Sequence, residues 1–351
     1  MRYALLALAA ALPLASSADD FANYDLALRF PTAISHLSPF GEVAAKSGAA
    51  AASVWGSSPN PAGLSWGFQG NPCAYPNYKD PNHALSAQYS NLIFDQGQEL
   101  QFFTQAFTLD LDDAGTFRFG FGMANSNERL IRGFPVAFGY ESTGGRVDWG
   151  YQINEDFRIG VGAGYSEAQT VFKTSSFDAI RTDRETWGLR AGLNTSLNEK
   201  DTLTFGLYGD YGQGRNDSFT LLPSPSGTLV AGRGKETVDQ FILRTGFAKA
   251  LDAYKTSWLN LDYEWSHYAI PSQTLNNHRV LLGADYLVKI VHIRAGTFID
   301  GRGNPGWSAG LGIHLPKHTH IDLAYQANAF PELRQEFGIS QTINVSLSLV
   351  W

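Results

Sequence analysis

The chain is poor in the residues that usually staple a fold or carry catalysis. Cys73 is its one cysteine in 351 residues, so no intrachain disulfide forms, and that thiol reads as a small loop residue rather than a nucleophile. No stretch holds 18 consecutive apolar residues, which excludes a transmembrane helix. Charged residues make up only 17%, and the formal charge is -7. The basic residues are scattered, whereas phosphate binding needs a concentrated basic surface, so nucleic acid is excluded as a partner. Gly-x-Ser-x-Gly does not occur. Ser266 and His267 are neighbours in sequence, and neighbours on a strand point to opposite faces, so they do not make a nucleophile–base pair. His314, His318 and His320 gather at an expected short turn, but no cysteine or carboxylate stands at ligand spacing, and a solvated turn is the plainer reading. Neither an enzyme, a metal nor a cofactor is expected.

What the chain has instead is glycine and aromatic side chains. There are 36 Gly, and aromatics reach 13%, with a mean hydropathy of -0.18. A membrane-spanning barrel has such an average, because lipid-facing and lumen-facing residues alternate along every strand.

Residues 1–18 read as a secretory signal. Arg2 gives the positive start, Tyr3–Leu14 the apolar stretch and Ser16-Ser17-Ala18 the small-residue cleavage site. Residues 19–82 form a second unit. Within it Gly41–Trp66 begins as a small-residue run, with six alanines between Ala44 and Ala52, which reads as a short helix. It ends in Asn60-Pro61-Ala62-Gly63-Leu64, a turn. A connector with Pro72, Pro76 and Pro81 follows.

From residue 83 to 351 the period is two. Val147, Trp149, Tyr151 and Ile153 oppose Arg146, Asp148, Gly150 and Gln152. Phe157, Ile159, Val161, Ala163 and Tyr165 oppose Arg158, Gly160, Gly162 and Gly164. Each such stretch has one apolar face and one polar or glycine face. The pattern predicts fourteen strands: 83–94, 99–111, 115–123, 145–153, 157–169, 185–197, 202–212, 237–249, 256–266, 279–287, 291–298, 307–315, 319–326 and 340–351. Short connections alternate with longer ones such as Ala124–Gly144 and Gln213–Glu236, with Asp95–Gln98 as a short exception on the long side. Short turns at one end, long loops at the other and an even count predict an all-β, antiparallel outer-membrane barrel with both of its ends on the short-turn, periplasmic side. A soluble sandwich alternates in the same way but has no reason to sort its loops.

Ile343, Val345, Leu347, Leu349 and Trp351 end the chain as an alternating series on an aromatic residue. It resembles the terminal strand that the outer-membrane assembly machinery reads. Trp149, Tyr211, Trp258, Trp265, Trp307, Tyr325 and Trp351 suit interfacial girdles. If the apolar faces meet lipid, then Asp148, Arg158, Arg190, Arg244, Asp262, Glu264, His292, Arg294, His320 and Asp322 line the interior. They serve there either as cross-strand ion pairs in a solvated lumen or as a head-group or ion site. Gly160, Gly162 and Gly164 precede no helix, so a dinucleotide site is excluded; on an inner face they leave room for something lodged in the lumen.

The small-residue segment at Gly48–Ala52 and Ser53, then Asn60-Pro61-Ala62-Gly63-Leu64, then a proline-containing connector and fourteen strands, resembles the FadL/TodX family of outer-membrane transporters of hydrophobic compounds. Val147–Asn154 followed by Arg158-Ile159-Gly160-Val161-Gly162 resembles its strand–turn–strand phrasing. The resemblance implies that residues 19–82 fold back as a plug, with Asn60, Pro61, Ala62, Gly63 and Leu64 in the lumen. It implies a hydrophobic ligand, fatty acids or other apolar compounds, released by plug movement or through a gap in the wall into the lipid of the outer membrane. The chain is shorter than a typical fatty-acid transporter, which bears on long-chain fatty acids as the substrate. The alternative is a non-transporting barrel of the same shape, a protein-secretion shuttle resembling PorV.

Overall fold

A computed structural model describes Ala50, 60–64 and 83–351, except 131–136, 175–176, 199–201, 224–228, 253–256, 272, 316–318, 331–333 and 335–337. The expected signal, the alanine-rich helix apart from Ala50, the proline connector, Cys73 and His318 lie outside the described residues.

Period-two patterning produces strands wherever it runs. They are β1 (His83–Phe94), β2 (Glu99–Asp110), β3 (Thr116–Ser126), β4 (Arg129–Leu130), β5 (Ala137–Gln152), β6 (Phe157–Lys173), β7 (Asp178–Ser196), β8 (Leu203–Pro223) and β9 (Leu229–Ala250). There follow β10 (Trp258–Ile270), β11 (Gln273–Val288), β12 (Val291–Asp300), β13 (Pro305–Leu315), β14 (Thr319–Ala327) and β15 (Ser340–Val350). All fourteen expected strands are present, and β4 is a two-residue addition beside β5. Apart from β4, which pairs only with β5, every strand pairs antiparallel with the next one in the chain; β3 pairs with β5 and β1 with β15, so the sheet closes. The seam is finished by backbone bonds in both directions between His83 and Trp351, each 3.0 Å, at the short-turn end where both ends were expected. Closure leaves no edge to satisfy in hydrocarbon.

The faces are inverted relative to a soluble protein. Val147 is 44% exposed while its neighbour Asp148 is 1% exposed. Val161, Leu189, Leu323 and Val345 likewise face outward, and Arg118, Asp262 and Asp322 are buried. Trp187–Tyr211 and Trp307–Tyr325 are ring pairs near one rim, and Trp149 stacks on Tyr151 at the other. Trp258 departs from the expected girdle: it shares the parity of buried Asn260 and Asp262, which places it on the inner face.

The longer loops are where the sequence reading is corrected. Ala124–Gly144, Thr170–Arg184 and Gln213–Glu236 are mostly strand, because β5, β6, β7, β8 and β9 run to 16, 17, 19, 21 and 22 residues. Crossing the hydrocarbon takes only about 9–11 tilted residues. These five strands therefore rise above it as a blade, while β12 to β15 have 9–11 residues and stop near the rim. Between β10 and β11, where His267–His278 was expected as a loop, only 271–272 remain.

Candidate functional site

The lumen is layered. At the long-strand end Phe94, Phe102, Phe138, Tyr140, Phe172 and Tyr268 point inward and, with Leu92, Leu275 and Phe330, form a buried apolar cluster. Phe330 comes from the connection between β14 and β15, held by its backbone N–H donating to Ser340 Oγ at 2.8 Å. The sequence placed charged residues on the inner face but did not locate an apolar layer. At this mouth the inner face is apolar instead, since side chains converging from many strands there bury one another rather than face solvent.

Below the mouth lies a charged band. Arg118 grips Asp148 through Nε at 3.1 Å and Nη2 at 2.6 Å. Arg146 reaches the same carboxylate through Nε at 3.0 Å. Arg190 pairs with Asp210, and Arg244 with Asp262 at 2.8 Å. Glu264 lies 3.7 Å from both Arg244 and Arg279. All ten charged or histidine positions expected inside do face inward. Glycines break the band on one flank: Gly120, Gly164, Gly188 and Gly212 lie at one level on β3, β6, β7 and β8. They floor a chamber of about 130 Å³ that Ser86, Thr104, Arg118, Arg146, Arg190 and Asp210 also line. On the lipid side of the same panel is an apolar dent among Trp149, Val161, Ala191, Tyr211 and Phe241. Chamber and dent share Gly162, Ala163, Leu189 and Arg190, so the wall between them is one backbone thick. No gap opens in it, because β5, β6 and β7 stay in register from Gln152 to Phe172, and the register of β6 with β7 shifts only at Phe172/Lys173.

Asn60–Leu64 sits one level deeper, fully buried against β5, β6 and β7. Pro61–Gly63 is one 3-10 turn; Pro61 fits its first position because the missing N–H would be unpaired there anyway. Asn60 caps it, its Oδ1 accepting from the N–H of Ala62 at 3.0 Å. Its Nδ2 donates to Leu193 O at 3.0 Å, Asn194 Oδ1 at 2.9 Å and, more weakly, Leu207 O at 3.4 Å. One side chain thus caps its own turn and ties it to β7 and β8. The wall is hollowed to receive it. Gly150, Gly160 and Gly192 are consecutive across β5, β6 and β7. A Cβ on Gly160 would strike the backbone of Pro61 and Ala62, and one on Gly192 would strike the Asn60 amide. A second foothold is Thr204, whose hydroxyl donates to Ala50 O at 3.2 Å.

The glycine run on β6 thus has three jobs. Gly160 meets the turn, Gly162 gives way to the Asp148 carboxylate, and Gly164 floors the chamber. The histidine reading is corrected: His314 and His320 are opposed inside the barrel, not on a solvated turn. His292 Nε2 is 2.7 Å from His314 Nε2 and its Nδ1 is 2.6 Å from Asp285, while His320 Nε2 lies 2.8 Å from Asp322. Short β13 and β14 bring inward residues at each strand foot together there. Among the described residues no three such side chains have metal-binding geometry. Ser266 is buried and His267 faces outward, where it meets Asn276, so the two stand on opposite faces as expected.

Solved structures share the overall fold. The Pseudomonas putida toluene transporter TodX superposes with a TM-score of 0.51 at 13% identity, over 82% of this chain and 91% of its own. The CymD monoaromatic hydrocarbon channel gives 0.51 at 14%, over 83% and 91%. A Pseudomonas aeruginosa FadL homologue gives 0.52 at 13%, over 86% and 99%. The chain has the FadL/TodX fold. No protein-family model and no curated protein sequence matches it. A shared fold at 13–14% identity fits a wall whose face pattern, not its residue identities, is what lipid requires.

Proposed function

We propose that this chain carries a hydrophobic small molecule across the bacterial outer membrane, with residues 19–82 as a plug anchored through Asn60–Leu64. The observation that carries the reading is the cradle: three wall glycines in a row, at least two of them cut to the shape of a turn from the far end of the chain. A turn needing only a place to pack would not require glycine in the middle of strands, where it costs about 0.5–1 kcal/mol relative to alanine. Above it, the apolar mouth would admit a molecule that water rejects, at about 25 cal/mol per Å² of its apolar surface. Because the ladder of β5 to β7 is continuous, passage rests on movement of the plug rather than on a standing gap in the wall. The likeness to TodX, a toluene transporter, and CymD, a monoaromatic hydrocarbon channel, supports the same reading.

Asn60→Ala combined with Pro61→Gly removes both the tie to the wall and the rigid start of the turn. Uptake of toluene or hexadecane by cells producing this variant should change several-fold, while the purified barrel keeps a heat-modifiable band. Uptake identical to that of the parent barrel would remove the plug from the mechanism.

One observation favours the shuttle reading. The blade of β5 to β9 projects into water, and residues 230–237 of β9 extend past its last pair with β10, Asp239 with Ala269, leaving an exposed strand edge. An extended segment of a secreted protein would add to that edge. Its mark would be secreted protein that co-purifies with the barrel and is lost when the blade is trimmed.

A further inference from the structure

The chamber between the apolar mouth and the Asn60 turn has a charged side that a neutral hydrocarbon alone does not call for. Three arginines reach it, Arg118, Arg146 and Arg190, against two carboxylates, Asp148 and Asp210, a balance of 3 − 2 = +1. The surplus has an address. Arg118 and Arg190 each hold a carboxylate through two nitrogens, and their side chains are 2% and 5% exposed. Arg146 is 24% exposed and meets only an oxygen that Arg118 already holds, at the edge of its guanidinium. Its stem lies over Gly164: a Cβ there would come 3.5 Å from Arg146 Cβ and 3.7 Å from its Cγ. The Arg146 fork therefore opens toward the chamber, and a planar fork of this kind matches a carboxylate.

Size and shape narrow the ligand. About 130 Å³ is close to the roughly 150 Å³ cavity that holds one benzene molecule. Beside the Arg146 stem, Gly188 and Gly212 carry no side chains and offer flat peptide groups to a ring. We propose that this chamber binds a monocyclic aromatic carboxylate, its ring on the glycine floor and its carboxylate on Arg146. The inference rests on the transport reading above and sharpens it: Arg146 is the specificity-determining residue that favours an aromatic acid over a neutral arene and over a long-chain acid.

The test is calorimetric titration of the purified full-length barrel in detergent with benzoate, toluene and dodecanoate, in a buffer without carboxylates. Benzoate should bind the parent more tightly than toluene or dodecanoate does. Arg146→Gln should weaken benzoate by about 10–100-fold, the loss of a charge-assisted pair, and leave toluene within twofold. Arg146→Lys should recover part of that loss. Equal binding of benzoate by parent and Arg146→Gln overturns the inference, as does dodecanoate binding tighter than benzoate. A heat-modifiable band in each variant shows that folding is intact; if Arg146→Gln lacks one, Gly188→Val, which fills the floor without altering charge, serves in its place and should also weaken benzoate. Uptake of apolar solutes by cells is scored separately. Its absence would sink the transport reading, while benzoate binding still decides this one.

Discussion

Asp148 shows how much one inward residue carries. Its carboxylate answers Arg118, one of the most deeply buried large side chains of the described residues, and Arg146 besides. Removing a partner from a buried pair leaves an uncompensated charge, which costs about 3–5 kcal/mol. Asp148→Ala should therefore lower the melting temperature of the purified barrel clearly. Asp183→Ala should leave it unmoved, since the Arg181–Asp183 pair is solvated and such pairs are worth little. Equal effects from both would mean that the lumen is as wet as the surface. At this scale the sequence was informative about placement and silent about partners. Parity alone put Asp148, Arg190 and Asp322 inside, and glycine at 160, 162 and 164 announced a lodger. Nothing in a single strand says that Gly160 faces Pro61 or that Gly192, on another strand, faces Asn60, because those contacts form only when the wall curves around a distant segment. The inward Phe102, Phe138 and Phe172 were missed for a related reason: they interrupt the polar face only near strand ends, where alternation is already weak.

Elements were legible where lipid reads them. Each membrane crossing has an apolar outer face and was found within a few residues. The upper halves of β5 to β9 were not, because their outer face turns polar there while Phe138, Tyr140 and Phe172 make the inner face of β5 and β6 apolar. Glu141, Thr143, Glu167, Glu185 and Lys235 point outward above the Tyr165–Trp187 level, so the strand continues while the alternation vanishes. This predicts that the blade is dispensable to the barrel. Deleting 217–235 and joining Asn216 to Glu236, which are already paired, through a two-residue Asn-Gly turn leaves the β8–β9 ladder below intact. The shortened chain should keep its heat-modifiable band and its uptake of toluene. Loss of folding would show instead that the blade helps to nucleate closure.

For the molecule as a whole, the same closure that removes edges also reverses the usual meaning of a surface. Leu323 is 50% exposed near the middle of β14, and Ser346, on the paired strand β15, is 3% exposed with no hydrogen-bond partner for its hydroxyl among the described residues. In a soluble sandwich the exposed leucine would accept arginine freely, and the buried position would be the sensitive one. In a bilayer the order inverts. Arginine on the lipid face near the midplane costs about 2–4 kcal/mol, whereas Ser346→Ala deletes a buried hydroxyl that bonds to no described group of the wall and so breaks no hydrogen bond within it. Refolding into phosphatidylcholine vesicles, followed by the denaturant midpoint, should therefore show Leu323→Arg strongly destabilised and Ser346→Ala at or slightly above the parent. The opposite order would mean that the apolar belt does not face lipid. The lumen assigned to Asn60, Arg146 and the chamber would then be an outer surface, and the transport reading would fall with it.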